Sequence, residues 1–290
     1  MADFTLALPD DYRRADVLAF HGRDAQGLSE QVGANTIRKG IVLDGVALVL
    51  DIAFSDQQAR CHVLADAPLD DTLKARLATV LASTLGLRID PAPFLTMVAD
   101  DPLLGPLALR QGSLRIVQSA TIFEALTWAI IGQQINLPFA ISLRRTFIEQ
   151  AGRRHGSGLW CYPEAVDVAR LEVEALTSRK FSRAKAETLM RVAGLVADGD
   201  LVLDPDAAIA DSCAALLAVK GIGPWTVNYT LLRGYGYADC SLHGDVAIRA
   251  ALQRLLGEES KPDMARTESI LARYAPQRTM AAAHLWASLA

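Results

Sequence analysis

The sequence is poor in cysteine, and the few it has stand alone. Cys61, Cys161, Cys213 and Cys240 are widely scattered and no Cys-x2-Cys pair occurs. That spacing cannot build a zinc site or an iron–sulfur loop, so reduced structural thiols are the expectation. Long apolar runs are also missing: none approaches the ~18 residues that span a bilayer. At Met1-Ala-Asp-Phe-Thr5 no basic segment precedes an apolar block, so no signal peptide is read. These absences lead to the expectation of a soluble cytoplasmic protein. Positive charge is lacking as well. A net charge of −4 argues against a binder of nucleic acid driven by bulk charge. There are no repeats and no low-complexity stretches.

What is present is enough chain for a core: 290 residues suggest one large or two modest domains. Phe4–Leu8, Thr36–Leu43, Val46–Phe54 and Ala59–Val63 read as short strands separated by turn-like Asp44-Gly45 and Ser55-Asp56-Gln57. Leu69–Leu85 reads as an amphipathic helix, and an α+β domain on a small antiparallel sheet follows. Pro91-Ala-Pro93 and Asp101–Pro106 read as a linker, and residues 1–112 as the first domain. From there to residue 290 the pattern is helical. Phe123, Leu126 and Ile130 share a face that stops at Gly132-Gln-Gln134. Asn136 caps the next helix, with Pro138 in its first turn and Phe139, Leu143 and Phe147 inward. Further helices are read at 163–175, 182–197, 204–210, 211–219, 224–233, 245–256, 262–274 and 278–290, the third of these opened by Asp204-Pro205. Arg179, Lys180, Arg183, Lys185 and Arg191 oppose the single acid Glu187, and Arg144-Arg145 and Arg153-Arg154 lie nearby in sequence. Together they predict a modest basic face suited to a few phosphate contacts.

The most informative stretch is Leu217-Ala-Val-Lys-Gly-Ile-Gly-Pro-Trp-Thr226. It reads as a helix, a tight hairpin about Gly221 and Gly223, and a second helix opened by Pro224. Backbone amides aimed outward at such a helix start suit a phosphate. Asp245 follows, at the head of an amphipathic helix. Asp is a favoured N-cap worth ~1 kcal/mol, and that alone explains many such residues. A helix N-terminus also keeps the carboxylate ionised, so cap and chemistry are compatible. Hairpin and acid together point to an enzyme acting on a nucleic-acid backbone or sugar.

Lys220-Gly-Ile-Gly-Pro-Trp-Thr-Val-Asn-Tyr229, Leu231-Leu-Arg-Gly234 and Asp245 resemble the helix-hairpin-helix, Gly/Pro-rich loop and aspartate (HhH-GPD) of base-excision DNA glycosylases. Within that superfamily the sequence most resembles the bacterial 3-methyladenine DNA glycosylase II (AlkA) type. Ile122-Phe-Glu-Ala-Leu-Thr-Trp-Ala-Ile-Ile-Gly-Gln-Gln134 is similar to the helix ending in the DNA-wedging turn. Tyr274-Ala-Pro-Gln-Arg-Thr-Met-Ala-Ala-Ala-His-Leu-Trp286 is similar to the last helix. The resemblance spans roughly residues 116–286. It implies a mainly α fold: an N-terminal α+β domain, an all-helical core with its hairpin at about 212–233, and a cleft between the two.

The resemblance also implies roles. Asp245 is the catalytic acid, stabilising oxocarbenium character at the deoxyribose and orienting or deprotonating water. Trp286, Tyr229, Trp225, Phe20 and Trp128 form a base pocket in which an electron-poor alkylated purine stacks, at ~0.5–2 kcal/mol per aromatic contact. Ordinary core packing is the alternative for each. Gln134 is the wedge that fills the gap left by a flipped nucleotide. Lys220, Gly221, Ile222, Gly223 and Thr226 bind the DNA backbone. Carbonyls near Val219 and Ile222 are candidates for a monovalent cation, and no other metal or cofactor is expected. Trp225 stands where strand-cutting relatives carry a lysine nucleophile, so a monofunctional enzyme is expected. The chain departs from the pattern at His243 and Gly244, which replace Pro and Asp, and at Ala287, which replaces Tyr. The expected partner is duplex DNA carrying damaged bases, met by a bacterial, nucleoid-associated monomer with no membrane or obligate protein partner. Two rivals stay open: a glycosylase for a deaminated or oxidised base, and a non-catalytic helix-hairpin-helix DNA-binding module.

Overall fold

The computed structural model describes residues 2–289. Its first part contains β1 (Ala2–Ala7), α1 (Arg14–His21), β2 (Glu30–Val32), β3 (Thr36–Leu43), β4 (Val46–Phe54), β5 (Gln58–Ala65) and α2 (Asp71–Thr84). The five strands form one antiparallel sheet in the order β1-β5-β4-β3-β2. Asp44 and Gly45 both take positive φ, the backbone that a two-residue hairpin with matching twist requires, and they join β3 to β4. One face of the sheet meets Val17 of α1 and the Leu73, Leu77, Val80 and Leu81 stripe of α2. Val42 and Ala47 face the other way and pack on Cys161.

The remainder is helical, as expected. It opens with α3 (Ala92–Met97), α4 (Gly105–Gln111), α5 (Ile122–Gly132) and α6 (Leu137–Ala151). A small ladder of β6 (Arg153–Arg154) and β7 (Trp160–Cys161) follows, then α7 (Ala165–Val168), α8 (Val173–Thr177) and α9 (Arg183–Ala197). The last group is α10 (Ile209–Leu217), α11 (Pro224–Thr230), α12 (Val246–Leu256), α13 (Met264–Ala272) and α14 (Arg278–Ala287), with a π-helical turn at Leu231–Tyr235 directly after α11. Every residue of α5 except the last is buried, which makes it the central helix, contacted by α6, α9, α11 and the π turn.

Two joints fix the sheet to the helices. The Tyr162 N–H donates to Gly40 O at 3.0 Å and the Val42 N–H to Tyr162 O at 2.9 Å, so β7 lies against β3. Any side chain at Gly40 would collide with the Trp160 carbonyl. The second joint is a buried cluster of charges described below.

Several local expectations are corrected. Pro91–Pro106 is no linker: it forms α3 and α4, each with proline in its first turn, and Phe94, Leu104 and Leu107 are buried in the helical core. The stretch 163–175 breaks into α7 and α8, because the chain turns between them to bring Val168 and Leu176 into one core. Asp204 caps no helix. Its carboxylate accepts from the Asp206 N–H in a local turn, and the helix starts only at Ile209. Asn136 does cap α6, but Phe139 is 36 % exposed rather than inward.

Candidate active site

The hairpin lies between α10 and α11. Gly221 sits at φ +99° with the Thr188 side chain pressed beneath it, so both its conformation and its lack of Cβ are required. Gly223 differs: it is extended, at φ −112° and ψ 176°, with open space where a Cβ would point. Its bareness keeps the outer surface of the turn clear. Lys220 and Gly221 are exposed, whereas Ile222 and Thr226 are buried. The Thr226 hydroxyl is turned inward and accepts from Gln133 Nε2 at 2.9 Å, and the same nitrogen lies 3.1 Å from Gly221 O. Arg191 donates to Lys220 O at 2.9 Å. A cation held by these carbonyls would therefore share them with a guanidinium and an amide.

Asp245 is half-buried and caps α12. Its Oδ1 accepts from the Ala247 N–H at 2.9 Å, the Ile248 N–H at 3.0 Å and the Trp286 indole N–H at 3.2 Å. Its Oδ2 accepts from the Trp225 indole N–H at 2.9 Å. Among the described residues no cation lies within ion-pair distance of it. A carboxylate fixed by neutral dipoles alone keeps its full negative charge to oppose a positive charge developing nearby. His243 faces elsewhere, its Nδ1 3.0 Å from the Ser241 hydroxyl.

The aromatic residues meet in one array. Tyr229 lies 5.2 Å from Trp225 and 6.3 Å from Trp286, ring centre to ring centre. Its hydroxyl accepts from Trp128 Nε1 at 3.0 Å. Phe20, from α1 of the sheet domain, closes the array from the other side. Two arginines are interleaved with these rings. The Arg23 guanidinium carbon is 3.7 Å from the Phe20 centroid and 5.5 Å from Trp128. That of Arg233 is 4.8 Å from Phe20 and 5.9 Å from both Tyr229 and Trp286. Arg233 is carried by the π-helical turn, a helical irregularity common at functional sites.

Beneath the array lies the charged cluster. Lys39 Nζ is 2.7 Å from Glu30 Oε1 and 2.8 Å from Glu124 Oε1. Arg144 Nη2 reaches Glu124 at 2.9 Å and Glu30 at 3.3 Å, and His21 Nδ1 lies 2.9 Å from Glu30. Burial raises both carboxyls, but the Lys39 and Arg144 charges outweigh it and hold each below its ordinary range, Glu30 well below. For Arg144, burial lowers the pKa, yet Glu30 and Glu124 together raise it above its ordinary value. The cluster joins His21, Glu30 and Lys39 of the sheet part to Glu124 and Arg144 of α5 and α6.

At the end of α5 the turn carrying Gln134 projects into solvent, with Gln134 at φ +56°. Leu137 beside it is 50 % exposed, so an apolar patch with Phe139 borders the tip. The expected basic face is narrower than its sequence suggests. Arg144 belongs to the buried cluster, Arg145 pairs with Asp24 at 2.8 Å and Arg153 with Asp167 at 2.5 Å. Lys185 donates to Ile131 O at 2.7 Å, and Arg183 is shared between Glu174 and Glu187. Arg179 and Lys180 remain exposed. A cavity of about 680 Å³ lies between α2 and the loop after α9 and touches neither Asp245 nor any ring of the array.

Sequence reasoning missed Arg23, Arg233, Gln133 and the Glu30–Lys39–Glu124–Arg144 cluster. Only Glu124 carried a visible signal, as an acid inside an otherwise apolar helix.

The chain is similar to known proteins. A family model described as HhH-GPD superfamily base excision DNA repair protein matches residues 127–277. A DNA-3-methyladenine glycosylase of Bacillus subtilis is 27% identical over 288 residues, covering 97% of this chain and 95% of that protein. The solved 3-methyladenine DNA-glycosylase of Archaeoglobus fulgidus superposes with a TM-score of 0.82 at 21% identity, covering 98% of this chain and 97% of the other. The apo 8-oxoguanine glycosylase/lyase of Clostridium acetobutylicum reaches a TM-score of 0.74 at 13% identity, covering 100% and 97%. At such identities the likeness is one of fold, and the fold does not choose the lesion.

Proposed function

Because the chain belongs to the HhH-GPD superfamily of base excision DNA repair proteins, we propose that it is a monofunctional DNA glycosylase. In this reading it releases alkylated bases of the 3-methyladenine and 7-methylguanine type from duplex DNA. The observation that carries the reading is Asp245, held by two backbone and two indole N–H groups beside the aromatic array, with no cation among the described residues to neutralise it.

The chemistry follows from that charge. The flipped nucleotide places its base among Trp225, Tyr229, Trp286, Trp128 and Phe20 and its sugar against Asp245. The N-glycosidic bond breaks with its electron pair leaving on the base, so a formally cationic base departs neutral and needs no strong general acid. Asp245 stabilises the oxocarbenium ion of the sugar and orients the water that adds to it; the water then loses a proton and an abasic site remains. Trp225 offers no amine, so no Schiff base forms and the strand is not cut. Gly221–Gly223 and Lys220 grip the strand. The turn bearing Gln134, with Leu137 and Phe139 at its border, fills the vacated stack. The protein acts as a monomer without a cofactor.

The test is Asp245→Asn on duplexes carrying 7-methylguanine, hypoxanthine or 8-oxoguanine. Asn caps a helix about as well as Asp, so the fold should stay. Excision of the methylated base should fall on the order of 10²–10³-fold, with binding to abasic-site DNA retained. Release of 8-oxoguanine or hypoxanthine but not 7-methylguanine by the unmutated protein would overturn the lesion class; no release of any base would leave a DNA-binding module.

A further inference from the structure

We propose that Arg23 is a built-in competitor of the flipped base: its guanidinium occupies the aromatic slot of the resting protein, and a base enters only by displacing it. This deepens the glycosylase reading and rests on it for the nature of the occupant.

The slot is full as it stands. The space bounded by Phe20, Arg23, Trp128, Tyr229, Arg233 and the charged floor amounts to about 10 Å³, room for about one water and far too little for a purine ring. One of the lining groups has to leave. Trp128 and Tyr229 are tied to each other by a hydrogen bond and belong to α5 and α11. Arg233 donates to Val117 O and rides on a turn whose Gly234 packs directly on Ile122 and Ala125 of the central helix. The floor is locked by ion pairs. Arg23 is different. It lies in the loop just beyond Gly22, which closes α1, and its one protein hydrogen bond is a local one from Nε to Phe20 O at 2.7 Å. Among the described residues it makes no ion pair. Burial disfavours its charge, and Arg233 and Arg144 add to this, while Tyr229 and Glu30 offset part of it; the net effect lowers its pKa. It is the side chain with the least to lose by leaving.

What Arg23 presents to the rings also indicates what displaces it. A guanidinium is a flat, delocalised cation, and so is an N-alkylated purine in DNA. A cationic base entering the slot regains with the same rings the cation–π attraction that Arg23 gives up, whereas a neutral base recovers stacking alone. Arg23 thereby sets a threshold that a cationic base meets and an undamaged base does not. It is a specificity-determining residue that acts by occupying the site rather than by touching the reacting atoms.

Two variants test this, Arg23→Ala, which empties the slot, and Arg23→Gln, which removes the charge and keeps most of the bulk. Tryptophan fluorescence titrated with 7-methylguanosine at pH 6, and separately with guanosine, reads the slot without any excision. Both nucleosides should bind R23A more tightly and by a similar factor, about tenfold, because an internal competitor weakens every ligand alike; R23Q should move in the same direction by less. In the excision assay, R23A should raise hypoxanthine release about tenfold relative to release of 7-methylguanine, whose cationic base already displaces Arg23 in the parent. Unchanged nucleoside affinities would show that Arg23 is not in the way, and weaker binding or a fall in both excisions would make it a base contact; either result overturns the proposal. If the unmutated protein excises nothing, the glycosylase reading fails while the titration still decides the competitor.

Discussion

At one end of the run of aromatic contacts Asp245 accepts four N–H bonds from neutral groups; at the other Glu124 is pinned between Lys39 and Arg144. The two carboxylates are held by opposite means. Glu124 and Glu30 are fully buried with counter-cations at ion-pair distance, so their charge is consumed within the fold. Asp245 is half-buried and has no counter-cation among the described residues, so the fold leaves its charge unneutralised. Neutral dipoles fix a carboxylate without spending its field, and cations do the reverse. An acid framed by indoles is thus suited to chemistry, and an acid framed by ammonium and guanidinium to joining the sheet to the helices.

The sharpest way to break this comparison is to neutralise each acid by one atom. Glu124→Gln leaves Lys39 and Arg144 facing a single carboxylate, Glu30, inside the protein, and should lower unfolding free energy by about 3–5 kcal/mol in denaturant titrations. Asp245→Asn should change stability by no more than about 0.5 kcal/mol, since Asn is an equivalent cap, while excision collapses. If E124Q proves as stable as the parent, the cluster is not the joint described here.

The contrast between the two ends also explains what could be read from the sequence. The sheet, its Asp44-Gly45 turn, the apolar α5 and the Gly-Ile-Gly-Pro hairpin all announce themselves by local pattern: alternation, turn chemistry, a proline at a helix start. The placing of Asp245 at the head of α12 is legible for the same reason. The other end is not, because its members come from α1, β2, β3, α5 and α6 and meet only in the tertiary fold. Arg14–His21 shows no strong apolar stripe, so the helix that delivers Phe20 passes unread, and with it Arg23. Arg233 is aimed by a π turn, which shifts it off the face that a regular continuation of α11 would give. Arg144 reads as half of a surface Arg-Arg pair until two carboxylates from distant segments close on it.

A third buried group sharpens the comparison because only one side of it is framed by a neutral dipole. His284 of α14, two residues before Trp286, is fully buried; its Nδ1 lies 2.7 Å from Gln111 Oε1, and its Nε2 has no partner among the described residues. Burial, with a smaller contribution from Arg13, pushes its pKa down to about 4 from an ordinary 6.5. In this window the unfolded chain binds a proton that the native ring refuses. Stability is therefore complete above pH 6.5 and falls as pH drops from there towards 4, by on the order of 3 kcal/mol in all. Thermal or denaturant unfolding across pH 4–7 should show that slope, and His284→Gln should flatten it. An unchanged slope in the variant would assign acid sensitivity to other groups.

The smallest expected effect distinguishes the two indoles that frame Asp245. Oδ1 has three donors, two of them backbone amides, so loss of the Trp286 N–H leaves it anchored. Oδ2 has the Trp225 N–H alone. Trp225→Phe keeps a ring in the array and frees that oxygen to rotate and hydrate, and a hydrogen bond to a charged acceptor is worth about 1.5 kcal/mol. Single-turnover excision should slow about tenfold in W225F and by no more than about threefold in W286F, with both proteins melting near the parent. The reverse order would mean that Trp286 matters chiefly as a wall of the base slot, and that orientation of Oδ2 contributes little to the reaction.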